Sequence, residues 1–71
     1  MDKYDEARAP ETTPERLAEL SRDNDPDVRA GVAWNTSAPI SILTLLTKDE
    51  DDDVVKAAQE TLATRSRSTF A

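Results

Sequence analysis

The chain has no cysteine and no histidine. The first absence excludes disulfides, thiolate metal sites and a cysteine nucleophile. The second removes the commonest acid–base catalyst and metal ligand. One glycine and three aromatic residues in 71 positions leave little material for glycine-rich phosphate loops or aromatic stacking platforms. Nine basic residues stand against 15 acidic ones, a formal net charge of −6, so phosphate backbones and anionic lipid are repelled. The longest uncharged run, Gly31 to Thr47, is broken by asparagine, proline and hydroxyl residues and does not read as a membrane span. The charged opening Met1-Asp2-Lys3-Tyr4-Asp5-Glu6 does not read as a secretory signal, so the expected location is the cytoplasm.

What is present is a near copy. Leu20-Ser21-Arg22-Asp23-Asn24-Asp25-Pro26-Asp27-Val28-Arg29 returns 26 positions later as Leu46-Thr47-Lys48-Asp49-Glu50-Asp51-Asp52-Asp53-Val54-Val55. A period of this length is the signature of stacked repeats that share a core. Helix signals fall in pairs along it. Thr13-Pro14-Glu15 supplies a capping hydroxyl, a first-turn proline and an acid at the positive helix end, with Leu17 and Leu20 following at helical spacing. Asp25 and Pro26 restart a helix whose buried stripe is Val28 and Val32, and Asn35-Thr36-Ser37 closes the unit.

The second unit follows the same plan. Ala38-Pro39 replaces Thr13-Pro14 at a step of 25, which implies one residue inserted between Pro39 and Leu46. Ile42, Leu43, Leu45 and Leu46 form its apolar stripe. Ile40-Ser41-Ile42-Leu43 also alternates like a strand, but its counterpart Glu15 to Ala18 is a good helix former, so helix is expected. Asp51 to Asp53 cap a last helix carrying Val54, Ala58 and Leu62. At the amino end a 25-residue step pairs Asp2 with Asp27 and Ala7 with Val32, giving a short capping helix with Tyr4 and Ala7 turned inward.

Three further motifs have simple readings. Asp49, Asp51, Asp53 and Glu60 match loop positions one, three, five and twelve of a calcium-binding EF-hand. Val54 stands where that loop needs glycine, and the first copy repeats the Asp-x-Asp-x-Asp with Trp34 at position twelve; turn and cap chemistry is the expectation. Asn35-Thr36-Ser37 spells a glycosylation sequon and is read as a helix-ending loop. Trp34 is expected in the core, since a small fold needs its large side chains inside, with a partner contact as the alternative. Arg29 is expected to pair with Asp25 or with an acid of the next turn.

The segments Pro14-Glu15-Arg16-Leu17-Ala18-Glu19-Leu20, Asp23-Asn24-Asp25-Pro26-Asp27-Val28-Arg29 and Val32-Ala33-Trp34-Asn35 leading to Pro39 resemble the leucine-rich repeat variant family, relatives of HEAT-like helical repeats. The resemblance covers roughly Ala9 to Leu62; its second copy is degenerate, with Asp52 for the proline and Val55 for the arginine. It implies an all-α, right-handed stack of short α- or 3₁₀-helical segments, with about two repeats and a half-repeat cap at the amino end. It implies no shared catalysis, and no cofactor is expected.

The resulting organisation is one helical-repeat domain over 1–65, with a capping half-repeat at 1–9, repeat one at 10–35 and a degenerate repeat two at 36–62; 66–71 is a flexible tail. The expected function is a non-enzymatic protein–protein interaction module, binding an unknown partner or associating with itself through its repeat ends. Nucleic acid and membrane are not expected partners. Trp34, Arg29 and Ile40 are the candidate contact residues. The alternatives are an acidic decoy that mimics nucleic acid in a basic groove, and a structural remnant of a longer repeat array.

Overall fold

The computed structural model describes residues 2–68, with side chains for 2–65. It is helical throughout: α1 (Lys3–Arg8), α2 (Pro14–Leu20), α3 (Pro26–Trp34), α4 (Ile40–Leu46) and α5 (Asp52–Ser68). Helix α3 is flanked by α1 and α5 and packs against both, while α4 lies on α5. The expected tail enters the structure in part, because α5 runs on through Ser68; 69–71 lie outside the described residues.

The caps form where the sequence signals them. The Asp2 carboxylate accepts from the backbone N–H of Asp5, Thr13 Oγ1 from that of Arg16, and Asp25 from that of Asp27. Asp51 accepts from the backbone N–H of Asp53 and Val54 at the start of α5. Each satisfies donors that the first helical turn leaves without partners. Helix α4 departs from this scheme: Pro39 holds its N-cap position and offers no side-chain acceptor.

Two register expectations are corrected. Helices α2 and α4 both have seven residues and begin 26 positions apart, so no residue is inserted after Pro39. The proline itself has moved one place, from the first helical position at Pro14 to the cap position at Pro39. At the amino end the step is also 26 rather than 25, and Ala7 corresponds to Ala33; both are fully buried.

The hydrogen bonds follow that step. Asn35 Nδ2 donates to the carbonyl of Ala7 at 2.7 Å, and Thr61 Oγ1, 26 positions on, donates to the carbonyl of Ala33 at 2.6 Å. Lys3 Nζ meets Asp23 at 2.9 Å, and Arg29 Nε meets Asp49 at 2.9 Å. Ser21 donates to the carbonyl of Ala18 as Thr47 does to that of Thr44. The Asp-x-Asp turns likewise repeat, with Asp23 accepting from Asp25 N–H and Asp49 from Asp51 N–H. The duplication is therefore one of interactions as well as of letters.

A single core runs through both copies. Leu17, Leu20, Val28 and Val32 are buried, as are their counterparts Leu43, Leu46, Val54 and Ala58. Ala7 joins them, but Tyr4 does not turn inward as expected. It lies at the surface, where its hydroxyl accepts from Arg8 and the Arg8 guanidinium carbon sits 6.0 Å from its ring centre.

Helix α1 approaches α3 closely because Gly31 has no side chain. A Cβ there would stand 2.9 Å from the Ala7 Cβ and 3.2 Å from the Tyr4 carbonyl oxygen. The corresponding position in α5 is Ala57, which is buried, and the residue in register with Tyr4 is the smaller Ala30. The two interfaces thus exchange one methyl group for one ring. Gly31→Ala is expected to lower stability by about 1 kcal/mol: overpacking costs about 1–3 kcal/mol, and the better helix propensity of alanine offsets up to about 1. Urea denaturation followed by circular dichroism measures it, and a gain in stability would show that α1 moves aside freely.

Candidate interaction surface

The three candidate contact residues occupy different settings. Arg29 projects from α3 across to the turn before α5. Its Nε and Nη2 donate to both oxygens of Asp49, at 2.9 and 3.2 Å, and its Nη1 donates to the carbonyls of Asp23 and Asn24. Hydrogen bonding to the Asp49 carboxylate raises the Arg29 pKa further, burial acts against it, and the fork is fixed in a charged state. The pairing with an acid of the next turn is as expected, and it commits the guanidinium to holding two turns together.

Trp34 corrects the core expectation. It is 40% exposed at the end of α3, where it lines a small cleft of about 230 Å³ with Thr36, Glu60, Thr61 and Thr64. The buried place in that segment is taken by Asn35 instead. Its Nδ2, the atom a glycosyl group would require, donates to the carbonyls of Ala7 and Ala9, and its Oδ1 accepts from Ser37 N–H. The polar residue thus satisfies the carbonyl end of α1, while the aromatic one is left at the surface.

Ile40 is 51% exposed on α4, and Leu45, expected in the apolar stripe, is 58% exposed. Only Leu43 and Leu46 of that stripe are buried, with Ile42 partly covered. The outward face of α4 is therefore Ile40, Ser41, Thr44 and Leu45, with no charge. The helix one step earlier is different. In α2 the positions of Ser41, Ile42 and Leu45 hold Glu15, Arg16 and Glu19. Arg16 forms a two-pronged contact with Glu6 of α1, at 2.8 and 3.1 Å, and reaches Glu19 at 3.3 Å. The hydrogen bonds from Arg16 hold the Glu6 carboxyl below its ordinary range and push the guanidinium pKa up in turn. A register comparison of Leu45 with Glu19 is the signal that finds this exposed residue in the sequence.

The acidic turns are occupied by structural work. Asp2, Lys3, Tyr4, Asp23, Asp25, Asp27 and Val28 line an open cleft of about 670 Å³. Within it the Asp23 carboxyl is held low first by the backbone N–H of Asp25 and then by Lys3. The acids aligned by the EF-hand spacing are apart in role: Asp49 grips Arg29, Asp51 caps α5, and Glu60 lies beside Trp34. Among the described residues no group of three or more acidic side chains is arranged to hold a metal ion. No described helix is long and apolar enough to cross a membrane.

The two ends of the helix row carry mostly polar side chains, with Val55 the exception. At the α1 end, the capping Asp2 and the helix residues Asp5 and Glu6 stand in register with the buried Val28, Gly31 and Val32. On α5, Val55, Lys56 and Gln59 stand in register with Arg29, Ala30 and Ala33. A further helix at either end would meet carboxylates, or a glutamine where close approach needs alanine. No family model, characterised protein or solved structure matches the chain.

Proposed function

We propose that this chain is a small helical-repeat interaction module, built from two 26-residue units and an amino-terminal half-unit, which works by binding another protein rather than by catalysis. The repeated inter-unit bonds, Asn35 to Ala7 and Thr61 to Ala33, support the repeat-stack reading and with it the likeness to leucine-rich repeat variant proteins. Terminal units of repeat arrays carry polar outer faces, and the residues at both ends of this helix row fit that pattern. Self-association through the ends would have to bury those groups, so binding is proposed for the flanks.

The observation that carries the reading is the exposure of Trp34, Ile40 and Leu45, whereas the other large apolar side chains among the described residues, apart from Tyr4, are buried or partly buried. Tryptophan anchors are favoured at protein interfaces. The decoy reading has less support, because Asp2, Asp25 and Asp51 cap helices while Asp23 and Asp49 pair with bases.

The test is quantitative affinity capture from cell extract, comparing the natural chain with Trp34→Ala/Leu45→Glu, whose melting temperature is first shown to be unchanged. Proteins retained by the natural chain and lost by the variant are the expected result. Identical recoveries would overturn the reading. Sedimentation equilibrium is expected to give a monomer, and an oligomer formed equally by the variant would return assembly to the repeat ends.

A further inference from the structure

We propose that the cleft where Trp34 meets α5 receives a basic side chain, arginine or lysine, presented by the bound protein. Its stem lies on the Trp34 ring and its charged head meets the Glu60 carboxylate. This rests on the interaction-module reading and names the chemistry of one contact within it. Trp34 and Glu60 hold equivalent positions 26 residues apart. Helices α3 and α5 pack against each other, and both side chains line the one cleft, together with Thr36, Thr61 and Thr64. Its volume of about 230 Å³ falls below the roughly 300–1,000 Å³ of small-molecule sites and suits a single long side chain.

The wall chemistry identifies the occupant. The Glu60 carboxylate accepts hydrogen bonds and donates none. Thr61 Oγ1 gives its proton to the carbonyl of Ala33 at 2.6 Å, so it has only lone pairs left to offer. Among the described residues no base pairs with Glu60. The chain's own cations do not line the cleft. Arg8, one unit before Trp34, is engaged with Tyr4, and Arg65 donates to the carbonyl of Ala38. Lys56, one turn before Glu60, forms no ion pair with a described residue, and an exposed contact of that spacing is too weak to keep a partner out. An apolar occupant would cover a carboxylate without pairing it, and an anion would be repelled. A basic side chain satisfies both walls: its cation is drawn to the tryptophan ring and the carboxylate, and its methylene stem covers apolar surface. The net charge of −6 adds to the attraction.

The experiment is a nuclear magnetic resonance titration of the ¹⁵N-labelled full chain at constant ionic strength. The probes are Nα-acetylarginine amide, its lysine counterpart and the neutral isostere Nα-acetylcitrulline amide. A single exposed cation–aromatic contact is weak, so half-saturation is expected at roughly tens of millimolar. Saturable shifts are expected at the Trp34 indole N–H and at the amides of Thr36 and Glu60 to Thr64 with the basic probes, and at least about threefold weaker binding with citrulline. The tighter basic probe identifies the residue that the partner presents. Glu60→Gln and Trp34→Leu, both at exposed positions, are each expected to weaken the basic probes by at least about threefold with Tm unchanged. Glu15→Gln removes the same charge from α2 and should leave binding as it is. Equal binding of arginine and citrulline, equal weakening by Glu15→Gln and Glu60→Gln, or no shift at this cleft overturns the inference. None of these results touches the module reading, which stands or falls on capture from extract.

Discussion

Leu43→Ala is expected to cost about 3 kcal/mol, and Leu45→Ala, two positions along the same helix, less than about 0.5. Leu43 is fully buried, whereas Leu45 is 58% exposed. Truncating Leu43 loses the transfer free energy of its methyl groups and leaves a void that the surrounding core fills only in part. A 71-residue chain at about 0.05–0.15 kcal/mol per residue has roughly 4–10 kcal/mol in all. The Leu43 variant would thus lose a large share of it, with a fall in Tm of roughly 12–24 °C. Thermal denaturation by far-ultraviolet circular dichroism measures both variants. Similar effects at the two sites would show that α4 is not held with its Leu43–Leu46 side against the core.

The second large effect is expected at Arg29. Arg29→Met should cost about 2–3 kcal/mol. A fully buried ion pair loses about 3–5 kcal/mol when one partner is removed, and an exposed one about 0–1. The side chains of Arg29 and Asp49 retain only 14% and 10% of their exposure, nearer the buried limit. The substitution also strips the carbonyls of Asp23 and Asn24 of a donor. Arg29→Lys should rescue little, because one ammonium cannot replace a fork that spans two carboxylate oxygens and two carbonyls. A double-mutant cycle with Asp49→Asn should give a coupling energy above about 1 kcal/mol, measured by urea denaturation. A coupling near zero would mean that the two turns are held by packing alone. Lys3→Ala, at the equivalent place one unit earlier, should leave Tm unchanged, since Lys3 is 60% exposed and its contact with Asp23 is open to water.

Much of the helical layout is legible in the residues. Thr13-Pro14 and Asp25-Pro26 mark helix starts because cap oxygens and first-turn prolines act locally, without regard to the rest of the fold. Leu17, Leu20, Val28 and Val32 announce their burial by helical spacing. The amino-terminal register is harder, since a six-residue helix offers too few positions to separate a step of 25 from one of 26. Pro39 misleads for a related reason: proline suits both the cap and the first helical position, so its displacement by one resembles an insertion. Trp34 and Asn35 exchange their expected places because local pattern does not reveal which neighbour owns an unsatisfied carbonyl. The end of α1 supplies acceptors at Ala7 and Ala9, and the Asn35 side chain donates to both, beside the Thr12 backbone N–H that also reaches Ala9. Thr61, 26 positions on and also a donor, is the clue in the sequence.

The ladder of inter-unit bonds bears on how the chain folds. The bonds from Lys3, Arg29, Asn35 and Thr61 span 20 to 28 positions, so each docking event closes a loop of similar and modest length. Rates for such topologies lie in the microsecond-to-millisecond range, because no contact of this kind waits for distant ends to meet. Helix α3, bound on both sides, is the natural nucleus, and α1 and α5 dock on it in either order. The same geometry sets the sequence of loss on heating: the short outer helices open before α3, and Val28 to Ala33 exchange their amide protons last.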